Sequence, residues 1–363
     1  MSKKISVMFI LPNLHTGGAE RIITTISNHL PREEFQPSIL LFQKEGGYLE
    51  FLKNDVEIID IQTSSIRSSL IPIMKTIWKR KPDIVFSGWG EISAFLSPFI
   101  PFFKHTKFIS RETNIVSEHV TRKEIRFFYK FYNNFHQIIT QSDDMTRDLL
   151  ENFNIKKEKI IKINNPVDFE FINEKLAISG QPQSFDDEFK NVVAIGNLSS
   201  RKGFDNLLKV FSYLKEEKIR LHILGDGKDR GFLQQMKSDL GLDNVIFHGN
   251  QKNPYQYLKF ADLFILSSRY EGFPNVLLEA GACGVYALAN DCKGGIREII
   301  EPKINGEIAD INDFKGFSEK IKSILEETHE KEKIINSIRN RFSKENILHR
   351  YEKFLQEIID IQY

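Results

Sequence analysis

Short apolar runs alternate with helix-period segments along almost the whole chain. Residues 5–11, 38–42, 56–61, 84–87, 107–110 and 137–140 form compact apolar runs of strand length, as expected of strands buried on both faces. Residues 19–30, 69–81 and 123–134 between them read as amphipathic helices. This alternation predicts parallel strands joined by right-handed crossovers, a doubly wound α/β architecture. The pattern breaks after residues 160–163, at Asn164-Asn165-Pro166. A polar stretch follows, carrying Gly180, Gln181, Pro182 and the acidic run Asp186, Asp187, Glu188, and reads as a linker over 169–190. Strand-like runs then restart at 192–195, 221–224, 245–247, 263–266 and 285–289, and from Asp313 onward the chain is nearly all helix, rich in Lys and Glu. The expected organisation is two Rossmann-like domains, 1–168 and 191–342, facing across a cleft, with a helical tail over 343–363. Ligands of open α/β sheets bind beyond the carboxyl ends of the strands, so the strand-end loops are where chemistry is sought.

Composition narrows the function classes. The 363 residues hold 50 Lys+Arg against 49 Asp+Glu, a net charge of +1, with a sequence pI of about 7.7. That balance speaks against a dedicated nucleic-acid binder, and no nucleic-acid partner is expected. Hydrophobic residues at 41% and charged residues at 27% are ordinary for a folded chain, and this length favours two cores over one. Cys283 and Cys292 are the only cysteines, too few for a disulfide framework and wrongly spaced for a zinc ribbon. The N-terminal apolar run ends at Pro12 and reads as a strand rather than an export signal. The apolar stretch 92–103 is interrupted by Pro98 and Pro101 and is far short of the ~20 residues that span a bilayer. A cytoplasmic protein is expected, with peripheral contact at the inner face of the cell membrane left open.

Four loops could hold phosphate. The first, His15-Thr16-Gly17-Gly18-Ala19-Glu20-Arg21, joins a strand to a helix start, where glycines admit close backbone approach and the helix dipole favours anions. In the second, Gly196-Asn197-Leu198-Ser199-Ser200-Arg201-Lys202-Gly203, two cations sit at a helix N-terminus. The dipole disfavours them there, and a bound anion would account for them. The third, Gly225-Asp226-Gly227, matches neither the dinucleotide fingerprint nor a P-loop and reads as a turn. The fourth carries most information: Ser267-Ser268-Arg269-Tyr270-Glu271-Gly272-Phe273-Pro274-Asn275-Val276-Leu277-Leu278-Glu279-Ala280. A helix starting near Asn275 would offer the amides of Asn275 and Val276 to a phosphate, with a carboxylate on either side for sugar hydroxyls. The alternative is that Glu271 caps the helix and Glu279 faces solvent.

Glu271 and Glu279, with Gly272-Phe273-Pro274 between them, resemble the E-x7-E signature of retaining glycosyltransferases of family 4, which have the GT-B fold. Gly17-Gly18-Ala19-Glu20-Arg21 is similar to that family's acceptor-side loop, and Asn165-Pro166-Val167-Asp168 to its interdomain hinge. Lys202-Gly203, Gly294-Gly295-Ile296-Arg297-Glu298-Ile299 and Asn305-Gly306 resemble further landmarks. The resemblance implies that Glu279 bonds the nucleotide ribose and Glu271 the donor sugar. It implies that Lys202 neutralises the departing diphosphate and that Gly17 and Gly18 face the phosphates. Asn250 and Gln251, after Gly249, occupy the place of a base-contacting loop, and residues 345–361 that of a helix returning to the first domain. Two positions depart from the family. Asn197 stands where it often has arginine, a charge that Arg201 is read as supplying. The fifth-strand motif reads Ser110-Arg111-Glu112-Thr113-Asn114, without the histidine many relatives carry, so Arg111, Glu112 and Thr113 become the acceptor-side candidates.

The reaction so implied moves a sugar from a nucleotide-sugar, a UDP-sugar by preference, to a glycan or lipid-linked glycan, with retention by front-face displacement. No aspartate is followed by another two positions later, so a D-x-D metal motif is absent. Neither a metal nor another cofactor is expected, the cations and helix-start amides taking that charge instead. A nucleotide-sugar 2-epimerase of the same fold and a non-catalytic nucleotide-sugar binder remain as alternatives. The run 121–135, TRKEIRFFYKFYNNF, mixes cations with aromatics. It fits either a helix on an anionic membrane or ordinary packing against a sheet.

Overall fold

The structure, a computed structural model, describes residues 3–15 and 17–360. Thr16 of the first glycine loop and Ile361, at the end of the expected C-terminal helix, lie outside the described residues. The chain divides into two compact units, residues 1–166 with 345–363 and residues 167–344.

In the first unit seven parallel strands are ordered β3-β2-β1-β4-β5-β6-β7. They are β1 (Ile5–Leu11), β2 (Phe35–Leu41), β3 (Glu57–Asp60), β4 (Ile84–Ser87), β5 (Lys107–Arg111), β6 (Gln137–Thr140) and β7 (Ile160–Lys162). Successive side chains of a strand point to opposite faces, and here both faces are buried. Val7, Phe9 and Leu11 pack into one cluster with the helix Gly18–His29 and with Ile347, Leu348, Tyr351 and Leu355 of the helix Lys344–Asp360. Met8 and Ile10 pack into the other, beneath the helices Ile66–Arg80, Gly90–Leu96 and Lys123–Phe128. Continuous apolar runs are what such two-sided burial requires. The segment expected as one helix over 123–134 changes to a 3-10 turn, Tyr129–Asn134. That geometry lays residues i and i+3 over one another, and Tyr129 and Tyr132 stack with ring centroids 4.2 Å apart.

The second unit has six parallel strands in the order β10-β9-β8-β11-β12-β13. These are β8 (Lys190–Ile195), β9 (Ile219–Leu224), β10 (Val245–Gly249), β11 (Leu263–Leu266), β12 (Ala287–Asn290) and β13 (Gly306–Ala309). Edge strand β13, GEIA, has no apolar run and three half-exposed residues, so the hydrophobic pattern does not reveal it. The stretch read as a linker over 169–190 needs correction. Its first part is the helix Phe169–Ala177, capped by the Asp168 side chain, which accepts from the Phe171 amide at 3.1 Å. Ile172 is buried in the second unit's core with Phe169, Phe171 and Leu176 against it. The spacing of those apolar residues was helical, and the polar composition around them concealed it. Strand order in both units reverses beside the first strand, between β1 and β4 and between β8 and β11. These are the topological switch points at which open α/β sheets bind ligands.

Candidate functional site

Five loops of the second unit, at the carboxyl ends of β8 to β12, are stitched together by their backbones. Gly196 donates to Leu224 O at 2.9 Å, Leu198 to Asp226 O at 3.0 Å and Gly225 to Gly249 O at 2.8 Å. A Cβ on Gly225 would overlap the Gly196 carbonyl, and one on Gly227 would press on the Leu198 backbone. Gly225-Asp226-Gly227 is thus a turn that packs directly on the cationic loop.

Loops β8 and β11 flank the switch point and carry the charged cluster. Glu271 Oε1 accepts from Lys202 Nζ at 2.5 Å and from Ser268 Oγ at 2.6 Å, and Oε2 accepts from Arg201 Nη1 at 2.6 Å. Glu271 is only 5% exposed. Burial alone would raise its pKa, but the charges of Lys202 and Arg201 and their hydrogen bonds outweigh that and hold it down at about 2. The carboxylate is ionised, and the three side chains together carry one net positive charge. Glu271 caps no helix. The following helix, Asn275–Ala282, starts after Pro274 without a side-chain cap.

Backbone shape places these groups. Arg269 N donates to Arg201 O at 2.8 Å, and Ser267 Oγ donates to Lys202 O at 2.8 Å. Gly203 takes φ +66°, and a Cβ there would collide with the Ser267 carbonyl. Behind Glu271, its amide donates to Lys293 O at 3.0 Å, and Gly295 N donates to Gly272 O at 2.9 Å. Gly294 adopts φ +132°, where a side chain would meet the Glu271 carbonyl, and a Cβ on Gly295 would meet the Phe273 ring. The Gly-Gly pair is therefore a seat for the Glu271-Gly272-Phe273 turn.

Two residues of the fourth loop, given no role from sequence, belong to the cluster. Ser268 holds Glu271, and Arg269 clamps the cationic loop by a two-fold pair with Asp205, at 2.9 and 2.7 Å, and a hydrogen bond to Ser200 O. Ser268 lay beside the recognised motif and was legible there. The Arg269–Asp205 pair joins positions far apart in sequence and left no local signal.

Other candidates are distributed around this cluster. Asn275 and Val276 begin the helix and are half-buried, whereas Glu279 lies one turn on and is 7% exposed, so it does not face bulk solvent. Asn197 and Asn250 are exposed, and Gln251 Nε2 donates to His248 O at 2.7 Å. Behind that loop, His248 and His222 share a hydrogen bond of 3.0 Å, and burial pushes His222 down to about 3, so it is neutral. Among the described residues no group of three or more His, Cys, Asp or Glu is placed to hold a metal ion.

In the first unit the loops after β1 and β4 flank the corresponding switch point. Gly17 is the N-cap of the helix Gly18–His29, and the Glu20 carboxylate folds back over it. Burial raises Glu20's pKa against its backbone hydrogen bond and a further one to the Trp89 side chain. Arg111 and Glu112, expected on the acceptor side, are 2% and 3% exposed. Arg111 Nη2 donates to Asn165 Oδ1 at 2.6 Å and Nε to Tyr351 OH at 3.3 Å, tying β5 to the end of the unit's first segment and to the C-terminal helix. Glu112 accepts from the hydroxyls of Tyr132 and Tyr129, and burial pushes it up to about 7. Arg111 Nη1, buried as well, has no hydrogen-bond partner among the described residues. Thr113 is half-buried at the same loop.

The two halves match two family descriptions. Residues 16–171 match the model described as glycosyltransferase family 4, and residues 178–341 that of glycosyl transferases group 1. The chain belongs to the glycosyltransferases that pair these two domains. This glycosyltransferase is 31% identical to an uncharacterised glycosyltransferase of Methanocaldococcus jannaschii over 64% of its own length and 61% of that protein's. It is 23% identical to the N-acetylgalactosamine-N,N'-diacetylbacillosaminyl-diphospho-undecaprenol 4-alpha-N-acetylgalactosaminyltransferase of Campylobacter jejuni, over 94% of this chain and 97% of that one. Its fold is that of the Anabaena protein HepE, solved with UDP and glucose, at a TM-score of 0.79 and 19% identity over 97% of this chain and all of the other. Both sheets accordingly make a GT-B glycosyltransferase.

Proposed function

We propose that the enzyme transfers a sugar, with retention, from a UDP-sugar to a lipid-linked or polysaccharide acceptor without a metal ion. The observation that carries this is Glu271 holding Lys202 and Arg201 at the switch point, in the loop that leads into the helix Asn275–Ala282. Each bond to Glu271 takes one donor of each cation, whereas an ammonium has three and a guanidinium five. Lys202 and Arg201 keep donors for a diphosphate while Glu271 fixes their positions.

Breaking the anomeric C–O bond puts negative charge on the nucleoside diphosphate and oxocarbenium character on the sugar. Preorganised cations and helix-start amides stabilise the first as it develops. In this reading Glu271, ionised and buried, bonds the hydroxyls of the sugar, and Glu279 those of the ribose. Retention without a nucleophile would follow from front-face displacement, a donor phosphate oxygen taking the acceptor's proton. A uridine diphosphate donor is supported by the UDP-bound HepE fold, and a lipid-linked acceptor by the name of the Campylobacter relative.

The test is transfer of labelled sugar from UDP-sugars to lipid extracts and soluble glycans, with the anomeric configuration of the product read by NMR. Donor converted in the absence of any acceptor would instead favour a 2-epimerase. Binding without turnover would favour a sensor.

A further inference from the structure

On the first unit, among the described residues, the large exposed apolar side chains other than Phe51 and Trp89 lie in or beside the helical layer over one sheet face. The helix Ile66–Arg80 turns Ser69, Ile73 and Ile77 inward and leaves Ile71 59% and Trp78 75% exposed. Positions 67, 71, 75 and 78 share a face at helical spacing, and that face reads Arg, Ile, Lys, Trp where a solvated helix would be uniformly polar. No acid occurs between Asp60 and Asp83, whereas Arg67, Lys75, Lys79, Arg80 and Lys81 do.

The helix Gly90–Leu96 packs against both this helix and Lys123–Phe128, so the latter belongs to the same layer. There the aromatic run divides. Tyr129, Tyr132 and Phe135 are buried in the core, while Phe127 and Phe131 stand outside, edge to face at 6.0 Å, with Lys130 Nζ 5.0 Å from the Phe127 ring. Phe102, at the end of the adjoining 3-10 turn, is 79% exposed. Glu124 is the lone acid of residues 121–135 beside four cations. Aromatic and aliphatic side chains interleaved with cations on one exposed face are what an interfacial surface presents to anionic headgroups. No helix among the described residues is long and apolar enough to cross a membrane.

We propose that this layer docks the first unit on a bilayer carrying anionic headgroups. Trp78, Phe102 and Phe127 enter the interface, and the lysines and arginines between them contact the headgroups. The surface goes beyond the transfer reaction and involves none of the residues assigned to it.

The test uses the full chain without donor or acceptor, sedimented with vesicles of phosphatidylcholine alone or mixed with phosphatidylglycerol. Binding is expected to the mixed vesicles and to fall with added salt. Each cation removed should weaken it about fivefold, so Lys75→Glu with Lys79→Glu should abolish it over the accessible range. Trp78→Ser and Phe127→Ser should weaken it at every salt concentration, and Phe51→Ser, on the other face, should bind like the parent. Trp78 and Trp89 are the only tryptophans, so Trp89→Phe leaves Trp78 as the sole reporter. Its emission should shift to the blue and be quenched by brominated lipid. This readout decides the matter even where a surface variant fails to fold. Absent or charge-independent vesicle binding, equal binding by all variants, or unquenched Trp78 would overturn the proposal, and each would leave the transfer assay unaffected.

Discussion

Lys202 Nζ lies 2.5 Å from Glu271 Oε1, joining the loop after β8 to the loop after β11 across the switch point of the second sheet. The same carboxylate holds Arg201 through its other oxygen. One buried anion therefore orients two cations, and their roles in catalysis are tied together.

Lys202→Ala should lose far more in kcat than in donor affinity, because charge on the leaving diphosphate grows as the bond breaks. A loss of ~10²–10³ in rate is typical for one preorganised donor. Arg201→Ala should behave similarly, since both cations share Glu271. Steady-state kinetics at saturating acceptor separate the cases. Near-normal turnover of the Lys202 variant would sink the mechanism, and near-normal turnover of Arg201→Ala alone would remove only that residue.

Glu271→Gln should destabilise the protein by roughly 3 kcal/mol near neutral pH, as expected when a buried pair loses its anion. The carboxylate's folded pKa, about 2, lies below the ordinary 4.5. Its stabilisation is thus fully present above about pH 4.5 and is lost as pH falls toward 2. Thermal melts of parent and variant should show a gap that narrows below pH 4.5. A gap independent of pH would mean that the ion pairs do not form in solution.

Glu112→Gln should have the opposite profile. Burial raises Glu112 to about 7, so between pH 4.5 and 7 the folded chain keeps a proton the unfolded chain has released. The associated stability is present below about pH 4.5 and disappears as pH rises through 7. The neutral variant should melt near the parent at pH 5 and above it at pH 9, by about 3 kcal/mol at full ionisation. A variant less stable than the parent at pH 9 would contradict the assignment.

Glu279→Ala should weaken binding of UDP by roughly 1.5–3 kcal/mol, the worth of a charged hydrogen bond to a ribose hydroxyl pair. Calorimetry giving the parent affinity would place Glu279 outside the site and leave it as a packing residue of its helix.

Transfer should persist in excess EDTA, because the diphosphate charge is assigned to Lys202, Arg201 and helix-start amides. Activity lost on chelation and restored by Mn²⁺ or Mg²⁺ would show that assignment to be wrong.

The sequence by itself determined the interior strands but not edge strand β13, since burial on both faces demands unbroken apolar runs, and β1, β4, β6 and β11 begin and end where those runs do. It also determined the family, because Glu271, Glu279, Lys202 and the paired glycines are carried by local motifs. Tertiary structure alone decided how those residues relate. Positions 202 and 271 are distant in sequence, and nothing local says that Lys202 and Arg201 meet the Glu271 carboxylate rather than solvent. Arg111 and Glu112 show the same limit, as nothing in a polar strand end says that its side chains meet Asn165, Tyr351 and Tyr132. So does the run 121–135, whose aromatics split between core and surface only once the chain turned from α to 3-10 at Tyr129. Periodicity encodes which side of an element is buried, through the local geometry of the backbone. Which distant groups meet there depends on the crossovers that bring strand ends together, and that information lies in the sheet order.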